Sequence, residues 1–144
     1  QLDNMWNRIR MKGVQKAAVA KQGFYFYLEQ QSYDKAKKML DYCVKEDTNA
    51  NEVHVMDMMY TILALKQSDY IAEIRERLDY MRKESDAYTN TAKKVRIGVF
   101  EYLLGLQYSY QNNKKASKTY LESALKNCQN TPYEVEIKKL LGKK

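Results

Sequence analysis

The residues able to do chemistry are few and poorly placed for it. The only histidine, His54, sits between Val53 and Val55 with no cysteine nearby. A lone imidazole completes neither a zinc tetrahedron nor a serine–histidine–aspartate arrangement. Cys43 falls on the apolar stripe of its segment, where a thiol behaves as a small hydrophobe, and Cys128 stands near another helix end. Two cysteines in 144 residues are not a disulfide framework, and whether these two pair stays open. Glu134 and Glu136 occupy adjoining exposed turns, with no apolar pocket to raise a carboxyl pKa. Neither a Walker-type phosphate loop nor a dinucleotide-binding glycine motif occurs. The expectation is therefore a non-enzyme, with no catalytic residue, no metal ligand and no cofactor.

Lysine and tyrosine are in surplus. The formal net charge is +7, with lysine groups at 35, 37 and 38; at 93 and 94 beside Arg96; at 114, 115 and 118; and at 138, 139, 143 and 144. Each group neighbours an acid or falls on a solvated helix face, so the charge reads as dispersed. Such a balance still allows an acidic partner, either an acidic peptide or a nucleic acid. Thirteen tyrosines make a heavy aromatic load, and tyrosine is favoured at interfaces because it buries much area at low entropic cost.

The elements that must position these residues are helices. One proline and five glycines are too few for a chain of many tight turns, so an all-α domain is expected over 1–144. No run approaches about 18 apolar residues, the length needed to span a membrane. Leu2, Met5, Trp6 and Ile9 recur at helical spacing in a first helix or cap over 1–12, whose apolar face would suit homo-oligomerisation. Residues 14–46 read as a hairpin turning at Gln31-Ser32, with Ala17, Ala20, Phe24 and Tyr27 facing Tyr33, Ala36, Leu40 and Cys43. Ser32 is placed to cap the second of these helices. Residues 51–84 read as another hairpin, its helices opened by Asn49 with Glu52 and by Ser68-Asp69. Residues 88–128 form a third, turning at Asn112-Asn113, whose first helix is apolar nearly all round. Thr131-Pro132-Tyr133-Glu134 then starts a closing helix over 131–142.

The third hairpin carries Leu104-Gly105, Tyr108, Ser117, Leu121 and Ala124, and the first carries Gly23, Tyr27, Tyr33, Ala36 and Cys43. This pattern resembles the tetratricopeptide repeat (TPR), a helix–turn–helix unit of about 34 residues. Phe24 departs from it, where the family usually has a small residue, and the hairpin over 51–84 is a degenerate copy. The resemblance implies about seven helices stacked as antiparallel hairpins in a right-handed superhelix, an α-solenoid capped by 131–142. It also implies a protein- or peptide-binding scaffold, free-standing or the sensory or regulatory part of a larger protein. The groove-facing residues it points to are Lys21, Tyr25 and Leu28 from the first hairpin and Tyr102, Leu106 and Tyr110 from the third, with Met58, Ile62 and Lys66 between them. Tyr25 stands where a carboxylate-clamping TPR would have Asn, which argues against a partner held by its C-terminus. The reading from another class is a basic helical nucleic-acid-binding protein. A chain opening at Gln1 is expected to be processed or excised, so the compartment is cytoplasmic by default with export left open.

Overall fold

The computed structural model describes residues 13–46 and 49–143. Among them every regular element is a helix: α1 Gly13–Glu29, α2 Tyr33–Lys45, α3 Ala50–Leu63, α4 Ile71–Arg82, α5 Thr91–Tyr110, α6 Lys114–Asn127 and α7 Pro132–Leu140. The all-α expectation holds. The helix expected over 1–12, with Leu2, Met5, Trp6 and Ile9, lies outside the described residues. The chain forms two compact units, residues 1–65 and 66–144, and the boundary falls within the span 51–84 read from sequence as one hairpin.

In the first unit, α1 buries Ala17, Ala20, Phe24, Tyr27 and Leu28, a single face at helical spacing. Against it α2 sets Ala36, Met39, Leu40 and Cys43, and the Cys43 thiol donates to the Ala17 carbonyl at 3.7 Å. The chain reverses at Gln31, which takes a left-handed φ of 61°. The Ser32 amide then donates to Tyr27 O at 2.8 Å and the Gln31 amide to Leu28 O at 3.1 Å, satisfying two carbonyls at the end of α1. Helix α3 packs on α2 and α1 through Met56, Met58, Met59, Ile62 and Leu63, a methionine-rich surface that fills irregular gaps.

In the second unit α5 is the central element. Every residue from Phe100 to Gln107 is buried, as a helix apolar nearly all round requires. Helix α4 covers it with Ile74 and Leu78, and α6 packs closely along it with Leu121 and Ala124. The close approach depends on two glycines. A Cβ built at Gly105 would lie 2.6 Å from Leu121 Cγ, and one at Gly98 would lie 2.5 Å from Cys128 Sγ. Ser117, opposite Gly105, donates its hydroxyl to the Gly105 carbonyl at 2.7 Å. The α5–α6 turn repeats the construction of the first hairpin. Asn112 has φ of 59°, and the Asn113 amide donates to Tyr108 O at 2.9 Å. Helix α7 then packs on α6 and buries Ile137.

The helix starts only partly follow the sequence signals. Asn49 caps α3, its side-chain oxygen accepting from the amides of Asn51 and Glu52, but the Glu52 carboxylate goes to Lys21 rather than back to the cap. Ser32 precedes α2 without a side-chain cap bond. Ser68-Asp69 does not open α4, which begins at Ile71. Its preceding residue, Tyr70, gives its amide to Gln107 Oε1 on α5 at 2.9 Å, so a tertiary contact replaces the local cap. Thr131 likewise turns its hydroxyl to Cys128 O. Glu134 reaches back to the Asn130 amide at 2.9 Å, and Pro132 occupies the first helical position.

Candidate functional site

The residues expected to line a groove fall into three groups. Lys21, Tyr25 and Tyr110 are half-buried. Lys21 pairs with Glu52 at 2.8 Å, with 37% of its side chain exposed, and the Tyr25 ring meets Phe24 edge-on at 5.2 Å. Leu28, Met58, Ile62, Tyr102 and Leu106 are interior, none more than 7% exposed. Tyr102 lies 5.5 Å, centroid to centroid, from Tyr133 of α7, so the closing helix covers this part of α5. Contact with these five residues requires displacing what packs on them. Lys66 is exposed and holds a left-handed φ of 53°.

The most polar interior arrangement carries no local sequence motif. Glu101, on α5, is 1% exposed, yet its carboxylate is fully engaged. One oxygen accepts from Arg82 Nη2 of α4 at 2.7 Å and from the Ser123 hydroxyl of α6, and the other accepts from Asn127 Nδ2 of α6 at 2.7 Å. Three helices of the second unit are thereby tied at one carboxylate. A buried anion is tolerated only with such partners. The Arg82 guanidinium is held above its ordinary range by its hydrogen bond and charge pairing with Glu101, against the lowering effect of its own partial burial. The sequence signal was Glu101 itself. It is a single acid inside the run Val95–Leu106, otherwise apolar apart from Arg96 and the small glycines, and it had to be either paired or expelled.

The cysteines are structural. They are not joined to one another, and both thiols are buried. Burial, with the Glu101 charge adding to it, pushes the Cys128 thiol up to about 12, far from the reactive thiolate form. His54 is exposed. Among the described residues no group of three His, Cys, Asp or Glu side chains could hold a metal ion, and no helix is long and apolar enough to cross a membrane.

The lysines divide by how they are partnered. Lys93 bridges Glu84 at 2.5 Å and Asp86 at 2.7 Å, closing the polar stretch before α5. Lys37 pairs with Asp41 and reaches over the Tyr60 ring, while Lys16 and Lys35 lie over Tyr42 and Tyr27. Lys114, Lys115, Lys118 and Lys126 on α6 are exposed and have no ion-pair partner among the described residues.

Compared with known proteins, the chain matches no family model, and neither a curated protein nor a solved structure shows significant similarity to it.

Proposed function

We propose that this chain is a helical-repeat binding module that holds a peptide segment of a partner protein, its hairpins following one another as a TPR-like right-handed superhelix. One observation carries the reading: the α1–α2 and α5–α6 hairpins are built alike. Each turns at a left-handed non-glycine residue, Gln31 or Asn112, whose successor donates its amide to a tyrosine carbonyl, Tyr27 or Tyr108. Each then buries matching positions of the returning helix, Ala36, Leu40 and Cys43 in one and Ser117, Leu121 and Ala124 in the other. Recurrent hairpins of this kind are what stacked helical repeats are made from, and such stacks present extended binding surfaces. The half-buried Lys21 and Tyr25 on α1 in the first unit, and Tyr110 on α5 in the second, are the peptide contacts we assign to each unit taken by itself.

The test is selection of a displayed random 12-residue peptide library on the immobilised full chain. Enriched clones are expected to lose about tenfold in affinity on Tyr25→Ala or Tyr110→Ala, roughly 1.4 kcal/mol. The melting temperature should change little, because neither residue is interior. Failure to enrich any clone would remove the reading, and clones that bind both variants as tightly as the parent would remove the Tyr25 and Tyr110 assignment.

A further inference from the structure

The net charge is unevenly spread. Residues 114–144 hold eight lysines against three acids, so this stretch accounts for +5 of the chain's +7. Lys114, Lys115 and Lys118 crowd the first turns of α6, which has no acid in its first turn. Positive charge is disfavoured there, since the amides at a helix start already present a partial positive charge. Lys16, Lys21, Lys35, Lys37, Lys93 and Lys138 are drawn into ion pairs or over tyrosine rings, whereas these three and Lys126 stay exposed without such partners among the described residues, four on one helix. The buried positions Ser117, Leu121, Ala124 and Asn127 fix the opposite side of the helix, so Lys115, Lys118, Glu122 and Lys126 share its outer face.

We infer that the outer face of α6 docks an acidic peptide segment of the partner, with aspartate or glutamate side chains over Lys115 and Lys118 on that face and over Lys114 at its N-terminal edge. This names the chemistry of the partner and rests on the peptide-binding reading above, although it uses none of the residues assigned there. Charge complementarity calls for an anionic occupant. Two details favour peptide over nucleic acid. Glu122, one turn from both Lys118 and Lys126, would oppose a continuous line of phosphates, while a peptide can place a neutral or basic residue there. The aromatic ring nearest these lysines in the helix, Tyr120, is stacked on Tyr108 at 5.7 Å and an interplanar angle of 8°, so one of its faces is already taken by a protein ring rather than left for a base.

The experiment is fluorescence anisotropy on the full chain, with three labelled probes: a ten-residue glutamate peptide, the same length of glutamine, and a 12-nucleotide single strand. The glutamate probe should bind, weaken with added salt as exposed ion pairs are screened, and lose about tenfold in affinity in the triple variant Lys114→Ala, Lys115→Ala, Lys118→Ala. The glutamine probe should not bind. A Lys35→Ala, Lys38→Ala variant should match the parent. Circular dichroism should show the triple variant folded, because it removes charges that oppose the helix dipole. The inference is overturned by no glutamate binding, by equal binding to the triple variant, or by an oligonucleotide that binds more tightly through the same lysines. Glutamate binding alongside enriched clones that bind Tyr25→Ala and Tyr110→Ala as tightly as the parent would sink the Tyr25 and Tyr110 assignment alone. Enriched library clones with no glutamate binding would sink this one alone.

Discussion

Replacing Arg82 by alanine should damage the second unit at least as much as replacing Glu101 does, although Arg82 is the more exposed partner. In Glu101→Ala the stranded charge is a guanidinium whose side chain is already 33% exposed and can turn to water, so its share of the loss stays within about 1 kcal/mol. The remaining loss comes from Asn127 and Ser123, which lose their acceptor at a cost of about 1–3 kcal/mol for the buried Asn127 and less for the part-buried Ser123, offset by release of the desolvated carboxylate. A net of roughly 3 kcal/mol follows. In Arg82→Ala the stranded charge is an anion only 1% exposed, left with two neutral donors, and breaking a buried pair in this way costs about 3–5 kcal/mol. The double variant should cost less than the sum, by about 1–3 kcal/mol. Urea unfolding followed by far-UV circular dichroism gives the totals. Because two compact units need not unfold in one step, hydrogen exchange at the α5 amides of residues 100–107 reads the second unit separately. A near-neutral Arg82→Ala with additive doubles would refute the argument and leave Arg82 a surface charge, with Asn127 and Ser123 alone holding Glu101.

Gly105→Ala brings a Cβ to 2.6 Å from Leu121 Cγ and 3.3 Å from Ser117 O. Overpacking of about 1–3 kcal/mol should outweigh the roughly 1 kcal/mol gain in helix propensity, and Leu121→Ala in the same background should relieve the clash, seen as a less-than-additive loss in urea midpoint. A thiol reagent at pH 8 should leave Cys43 and Cys128 unlabelled in the native chain and label both in denaturant. Between its ordinary 9.0 and about 12 the unfolded Cys128 thiol releases its proton before the folded one does, so its contribution to stability falls as pH rises through that window; Cys128→Ala should flatten that part of the profile. Glu134 is held below its usual value by the Asn130 amide first and then by Lys138. Its contribution is therefore present above the ordinary carboxylate range and lost as pH falls through the lowered value, and α7 of Glu134→Gln should show at neutral pH the reduced protection factors that the parent shows in acid.

The hairpins were legible because their signals are local and periodic. Ala17, Ala20, Phe24 and Tyr27 announce one face of α1, and the Asn112-Asn113 pair announces a turn that needs a left-handed residue. Helix starts were less legible where a tertiary contact outcompetes the local cap. Ser68-Asp69 has the right chemistry to open α4, but Gln107, far along the chain, takes the Tyr70 amide instead. Groove-lining was the hardest to read, since Tyr102 and Leu106 occupy the expected helix yet are buried, with α7's Tyr133 against Tyr102. Helical spacing tells which residues share a face and does not tell what comes to cover it. The lysines on α6 have the same limit in reverse: their spacing was visible, but their lack of partners is a property of the folded chain.

The two hairpins share a turn and differ in what they place between their helices. Counting back from the left-handed residue, Ala20 of α1 holds the place that Glu101 holds in α5, and Ala17 the place of Gly98. In the first hairpin the close approach is apolar, with Cys43 giving its thiol to the Ala17 carbonyl. In the second, Gly98 and Gly105 leave no room for a Cβ against α6, and Ser123 and Asn127 reach Glu101 across the interface. The carboxylate in turn draws Arg82 from a third helix, which the α1–α2 pairing has no equivalent acid to do. A helix apolar on nearly every side can pack in several rotations with similar burial, so packing alone leaves the angle of α5 loosely determined. Glu101 removes that freedom, because only one rotation brings its carboxylate to Arg82, Ser123 and Asn127 together. The network is therefore better understood as fixing the register of α4, α5 and α6 than as adding to their net stability, the role for which buried ionic groups have the firmest support.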